Sequence, residues 1–171
     1  MASHYYVGHY KRIAYFDDTN TAAIIDETIN ETIQDNESIR IRGDVIDRVA
    51  LSTNAIFLQF NGITDELYYY RYIGGDNLIG QHHEASEITI GEFGLNQYIS
   101  FDTTIRYHNN KISVYSTTAA YPVGSKMLLN GSLYDDIPLF NQIRIFSRNE
   151  ATGKIEFGWN RIGSETALLV R

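Results

Sequence analysis

Hydrophobic and polar residues alternate with a period of two along much of this chain. Ile39 and Ile41 alternate with Arg40 and Arg42, Ile143 and Ile145 with Arg144 and Phe146, and Ile155 and Phe157 with Lys154 and Glu156. Neighbouring side chains on a strand point to opposite faces, so each run predicts a strand with one face on a core and one in water. Turn signals fall between the runs. Asn61-Gly62 separates Ala55–Phe60 from Leu67–Ile73, His108-Asn109-Asn110 separates Ser100–Tyr107 from Lys111–Ser116, and Arg148–Gly153 separates Gln142–Ser147 from Lys154–Trp159. These predict hairpins, with Asn130-Gly131 as a further tight turn. One segment, Thr21–Gln34, reads two ways. Ile24, Ile25, Ile29 and Ile33 are spaced for one helical face with Asp26 or Thr28 placed to cap, while the Thr and Ile content suits strands equally well.

Composition agrees with the alternation. Ile occurs 22 times and Tyr and Thr 13 times each, against 2 prolines, which is the β-branched and aromatic usage of pleated, half-buried surfaces. With no Pro-rich, Ser-rich or single-charge tract to serve as a linker, the 171 residues read as a single all-β domain spanning 1–171.

A phrase recurs along the chain: Gly43-Asp-Val-Ile-Asp47-Arg-Val49, Gly94-Leu-Asn-Gln97-Tyr-Ile99 and Gly131-Ser-Leu-Tyr-Asp135-Asp-Ile137. Each reads as a glycine, a short loop, a polar side chain and a strand, and three such units imply a three-sided β architecture. The phrase, with Phe16-Asp17-Asp18, the run Ser38-Ile-Arg-Ile-Arg-Gly43 continuing to Asn54, and Glu87-Ile-Thr-Ile-Gly-Glu-Phe-Gly94, resembles the jacalin-related lectins. The resemblance covers most of the chain. It implies a β-prism of three antiparallel Greek-key sheets and a carbohydrate-binding function; a β-sandwich or jelly roll is the alternative fold.

The candidate chemistry follows from the loops. An ionised carboxylate accepts from the vicinal hydroxyls of a sugar, and a glycine lets the sugar approach the backbone. Asp47 and Asp135 are the candidate hydroxyl clamps, Gly43 and Gly131 the close-approach positions by similarity with the family, and Tyr134 and Tyr70 candidate stacking rings. In the middle unit Gln97 or Tyr98 stands where the aspartate would be. The same aspartates would serve equally to bond their own turns. Tyr68, Tyr70 and Tyr72 share one strand face, a stripe suited to sugar stacking, to a protein interface or to cross-strand packing. Trp159 is a stacking platform or a core residue.

Several classes recede. Fourteen basic against twenty-one acidic residues give a net charge of −7, which repels nucleic acid, and the absence of cysteine removes thiolate metal sites, disulfides and thiol nucleophiles. His82-His83-Glu84 would place its two imidazoles on opposite faces of a strand, and neither Asp17-Asp18 nor Asp135-Asp136 forms a glycosidase pair on extended chain. No serine nucleophile elbow is present, and Arg42-Gly43-Asp44 lies between strand-forming flanks rather than on an adhesion loop. The sequence therefore predicts a non-catalytic lectin with no cofactor and no metal. Its partners are glycans or glycoproteins, and weak single sites favour a homo-oligomer. The alternative is a structural or self-assembling protein, of a virion, appendage or toxin, that uses the tyrosine stripe. No run approaches the ~18 apolar residues of a membrane span, and Met1–Tyr6 lacks a signal-peptide core. The expectation is a soluble chain that does not insert into membranes, cytoplasmic as given or secreted after removal of a leader.

Overall fold

Two asparagines build a two-residue hairpin connection. Asn109 and Asn110 hold φ angles of 49° and 59°, the left-handed pair that a two-residue hairpin requires and that Asn tolerates. The strands on either side pair from His108↔Lys111 outward. The computed structural model describes residues 6–7, 10–17, 23–47, 54–74, 79–93, 97–121 and 126–160. Among them the chain forms twelve strands: β1 (Tyr6–Val7), β2 (Tyr10–Asp17), β3 (Ala23–Ile33), β4 (Ser38–Asp47), β5 (Asn54–Phe60), β6 (Tyr68–Ile73), β7 (Ile79–Ala85), β8 (Ile88–Phe93), β9 (Tyr98–His108), β10 (Lys111–Tyr121), β11 (Lys126–Leu133) and β12 (Phe140–Asn160).

All of them belong to one antiparallel sheet, organised by the 21-residue β12. Ile143 pairs with Ile29 of β3 and Phe60 of β5, Ala151 with Ala23 of β3 and Asp47 of β4, and Lys154 with Asp17 of β2 and Asp44 of β4. A strand has only two edges, so β3 and then β2 occupy one side of β12, and β5 and then β4 the other. Two arms leave that second side: β4-β9-β10-β11-β6-β7 and the shorter β5-β8. The longest path, β1-β2-β12-β4-β9-β10-β11-β6-β7, has nine strands. The arms curl toward each other, β8 packing against β9, β10, β11 and β6. The result is a barrel closed everywhere except between β7 and β8.

This architecture corrects the β-prism expectation: there are not three sheets but one, nearly closed on itself. Nor are there two separate layers of a sandwich or jelly roll, because β12 belongs to both arms. The physical reason lies in glycine and asparagine signals that mark close packing instead of turns. Residues 148–153 continue β12, because the buried Asn54 side chain accepts from Asn149 N–H (3.2 Å) and Ala55 N–H (2.9 Å) and donates to the Asn149 carbonyl (3.1 Å). It thereby satisfies the irregular stretch at the register shift between Phe146 and Glu150. A Cβ on Gly153 would lie 2.4 Å from the Asp44 carbonyl, so this glycine admits the β4 backbone. Asn130-Gly131 likewise sits inside β11, with Gly131 opposite both Val114 and Tyr70. Asn61-Gly62 does turn, with φ of 50° and 66°, but β5 and β6 do not pair; the chain crosses there from one arm to the other.

The segment that reads two ways is the strand β3. Ile25, Ile29 and Ile33 are buried, and a spacing of four satisfies one face of a strand as well as one face of a helix. Ile39, Ile41, Ile56, Leu58, Ile90, Ile99 and Phe157 fill the interior, and Trp159 is core. Tyr68 binds the arms across this core. Its hydroxyl accepts from Phe60 N–H (2.8 Å) and donates to the Ile63 carbonyl (3.1 Å).

Two stability measurements follow. Asn54→Ala removes the side-chain acceptor of the Asn149 and Ala55 N–H groups and should cost about 1–3 kcal/mol in urea denaturation, the penalty of weakened hydrogen bonding to buried backbone. Asp102 on β9 accepts from Arg40 (2.7 and 2.5 Å) and Arg42 (3.2 Å). Its partial burial pushes the carboxyl pKa up, but the bonds and charges of the two arginines outweigh this and hold it below the ordinary carboxylate value. A depressed folded pKa stabilises above the unfolded value of about 4 and is lost as pH falls through the folded one. Asp102→Asn should therefore lower Tm at neutral pH and flatten the acid limb of a Tm–pH curve.

Candidate functional site

Strand alternation gives the β6-β7 hairpin two chemically different faces. Tyr68, Tyr70 and Tyr72 point inward, Tyr68 fully buried and Tyr70 5% exposed, while Tyr69, Arg71 and Ile73 point outward. On β7 an extra residue intervenes: Tyr68 faces Ala85 and Tyr70 faces His82, so two residues, His83 and Glu84, oppose Tyr69 alone. Glu84 takes a φ of 56° to absorb this bulge. The bulge sets His82 against the inward tyrosines, stacked on Tyr70 (centroids 4.7 Å, interplanar angle 19°) and on Tyr72 (6.0 Å, 22°). Gly80 makes room for Tyr72, since a Cβ there would lie 2.2 Å from the ring.

These rings form one wall of a cleft of about 190 Å³ at the open seam of the barrel. The opposite wall is β8, which contributes Thr89, Gly91 and Glu92; Thr118 and Ala120 of β10 and Met127 of β11 make the floor. Small residues create the space. Gly91 lets β8 settle onto β10, where a Cβ would come within 2.8 Å of Thr118 Cγ2, and Thr118 Oγ1 donates to the Ile90 carbonyl.

The Tyr70 hydroxyl donates to Thr89 Oγ1 (3.0 Å) and forms a strut between the walls. Burial raises the pKa of that hydroxyl; the Thr89 bond opposes the rise, and Glu92 and Glu87 add to it. Beyond the strut an open trough of about 560 Å³ shares Tyr70, His82, Thr89 and Glu92 and adds Glu66, Glu84, Glu87 and Arg148. Within it Arg148 bonds Glu87 (2.8 Å) and lies over the Phe57 ring (4.6 Å).

The residues singled out in the sequence are dispersed. Gly43 is buried in β4 opposite Phe101, whose ring occupies the place of its missing Cβ, with Cζ 2.3 Å from where that Cβ would be. Gly131 is buried in β11 between Ile88 and Tyr70. Neither glycine lines a loop, and β9 and β10 separate the two strands. Asp47 ends β4, its side chain outside the described residues. Tyr134 and Asp135 are exposed beyond the end of β11; Tyr134 reaches the outer face of the hairpin, where its Oη lies 2.8 Å from His83 Nδ1 and both rings neighbour Tyr69. Only Tyr70 lies in the cleft.

That Tyr70 and Tyr72 share one strand face was visible in the sequence; that this face turns inward was not. His82 joins it through a bulge that no short motif marks, and Thr89, Gly91, Glu92 and Thr118 come together only when the arms fold over. The two histidines do face opposite ways. Among the described residues no group of three or more His, Cys, Asp or Glu is placed to hold a metal ion.

The burial of the seam tyrosines is open to titration. Desolvation pushes the Tyr68 hydroxyl up to about 12, against the opposing bond with Phe60, and raises that of Tyr70. Among the tyrosines whose side chains are described, Tyr68 should give the last phenolate absorbance to appear, and Tyr68→Phe should remove that component. A raised folded pKa stabilises fully below the unfolded value of about 10, so alkaline destabilisation should set in above that pH and grow as it approaches the folded value. Comparison of the chain with protein-family models, curated proteins and solved structures finds no match in any of the three, and the resemblance to jacalin-related lectins rests on the quoted residues alone.

Proposed function

We propose that this chain is a carbohydrate-binding protein that acts by binding rather than by catalysis, with its site in the seam cleft. One observation carries this reading: a single small cleft combines the rings of Tyr70, Tyr72 and His82 with the hydroxyls of Thr89 and Thr118 and the carboxylate of Glu92. A pyranose has an apolar C–H face that packs on aromatic rings and a rim of hydroxyls that donate and accept. Thr89, having accepted from Tyr70, keeps a proton to donate, and Glu92 accepts. At about 190 Å³ the cleft is smaller than the ~300–1,000 Å³ of drug-sized pockets, which suits one sugar ring, with the trough available to the next.

The hydroxyls of the cleft engage one another and the backbone, an arrangement that preserves a shape rather than activates a nucleophile. Affinity for one ring in so open a site is expected to be weak, in the millimolar range or somewhat better, so avidity through several copies of the chain would matter.

The alternative of self-assembly moves to a different surface, since the tyrosine stripe faces inward. Ile79, Ile73 and Leu128 are neighbours in register across β7, β6 and β11 and are 74%, 46% and 54% exposed.

A glycan-panel titration of the purified chain tests the proposal. Binding to a related group of neutral or basic glycans is expected, weakened about tenfold or more by Tyr72→Ala and by the cleft-filling Ala120→Leu, with Asp135→Ala as wild type. A blank panel would overturn it. Concentration-dependent assembly abolished by Ile73→Thr with Ile79→Thr would then favour the second reading.

A further inference from the structure

We propose that the ligand of the seam cleft is an amino sugar, bound through a protonated amine beside Glu92, and that acidic sugars are excluded. The inference rests on the carbohydrate reading and adds the charge of the ligand. Glu92 lines both the cleft and the trough, in company with Tyr70, His82 and Thr89, and so stands where a ring seated in the cleft would meet the trough.

The charges around that point are unequal. Four carboxylates, Glu66, Glu84, Glu87 and Glu92, line the trough, and Arg148 is the one Lys or Arg among its described lining residues. Arg148 is already committed: it bonds Glu87, which also accepts from Ser86 Oγ (2.6 Å), and its guanidinium is held over Phe57. Glu66, Glu84 and Glu92 are exposed toward the trough without such a partner in its lining. Their side of the seam carries negative charge that reaches the cleft wall, since Glu92 and Glu87 both act on the Tyr70 hydroxyl.

An ammonium group answers each part of this arrangement. Beside Glu92 it turns a hydrogen bond that is charged on the acceptor side alone into an ion pair charged on both sides. Its positive charge also favours the electron-rich faces of Tyr70 and Tyr72. A carboxylated or sulfated sugar in the same place would face three uncompensated carboxylates, and the net charge of −7 opposes its approach as it draws a cation in.

The test uses three tetrasaccharides with the same β1,4 linkage: glucosamine, N-acetylglucosamine and glucose. Each is titrated calorimetrically into the full chain at mildly acidic pH, where the amines are protonated, at low and at high salt. The glucosamine tetramer is expected to bind about tenfold or more tightly than either neutral one, the advantage shrinking with salt. In Glu92→Gln, a near-isosteric change at an exposed position, the ratio should collapse toward one. Equal or tighter binding of a neutral tetramer, or a glucosamine preference that survives Glu92→Gln, overturns the inference while leaving carbohydrate binding intact. A chain that binds none of the three, and nothing on a wider neutral and basic panel, overturns the carbohydrate reading and this inference with it.

Discussion

Each described strand is placed, directly or through one neighbour after another, by the double pairing of β12. A strand hydrogen-bonded on both edges is buried between its partners, and its polar backbone has no water to fall back on where the ladder fails. The register of β12 shifts between Phe140 and Gln142 and between Phe146 and Glu150 against β3, and between Phe157 and Gly158 against β2; the widest gap is the one at residues 146–150. A turn would ordinarily take up that defect. Asn54 prevents it by presenting an amide with both donor and acceptor to Asn149, while Ser147 Oγ accepts from Ile25 N–H (2.9 Å) and donates to the Asn149 carbonyl (2.8 Å). The strand is thereby carried through as one element, and its two halves hold different partners on the same side.

The seam follows from that. Because β5 and β4 share an edge of β12, the sheets they begin must diverge and then face each other, and apolar faces that confront one another close down until side chains touch. The depth of closure is set by glycine. Gly91 and Gly131 let β8 come down onto β10 and β11, and Gly153 lets β4 lie close to β12. Once β8 is drawn inward it no longer lies level with β7, so the edges β7 and β8 remain unpaired with each other and the ring stops one connection short. The cleft is the space left at this mismatch, and the Tyr70–Thr89 bond is the contact that spans it.

Much of this fold was legible in the chain. Alternation at Ile39–Arg42 and Ile155–Phe157, and the His108-Asn109-Asn110 turn, report local geometry, and local geometry is what they determine. Glycine was the ambiguous symbol. At Gly62 it means a left-handed turn; at Gly43, Gly131 and Gly153 it means that a ring, a side chain or a backbone lies where a Cβ would be, and sequence spacing does not separate the two meanings. The phrase shared by Gly43–Asp47 and Gly131–Asp135 therefore looked like a repeated loop, whereas its glycines are seats for Phe101 on one strand and for Ile88 on another. The site was half legible for the same reason. Tyr70 and Tyr72 share a face by alternation alone, but their companions on β8 and β10 are fixed by long-range packing.

The two faces of the β6-β7 hairpin show how one bulge divides similar residues between different tasks. Without the extra residue at His83-Glu84 the register from Ala85 would carry on unbroken, and His83 rather than His82 would stand opposite Tyr70. With it, His82 stacks in the cleft, while His83 turns outward to Tyr69 and Tyr134. The outer trio is open to water, where stacking and hydrogen bonding compete with solvent. The inner trio has a wall opposite it and a carboxylate at its mouth, so a ligand placed there exchanges water for rings on one side and for fixed polar groups on the other. The enclosed face therefore offers a ligand more contact than the open one, although both faces carry tyrosine and histidine.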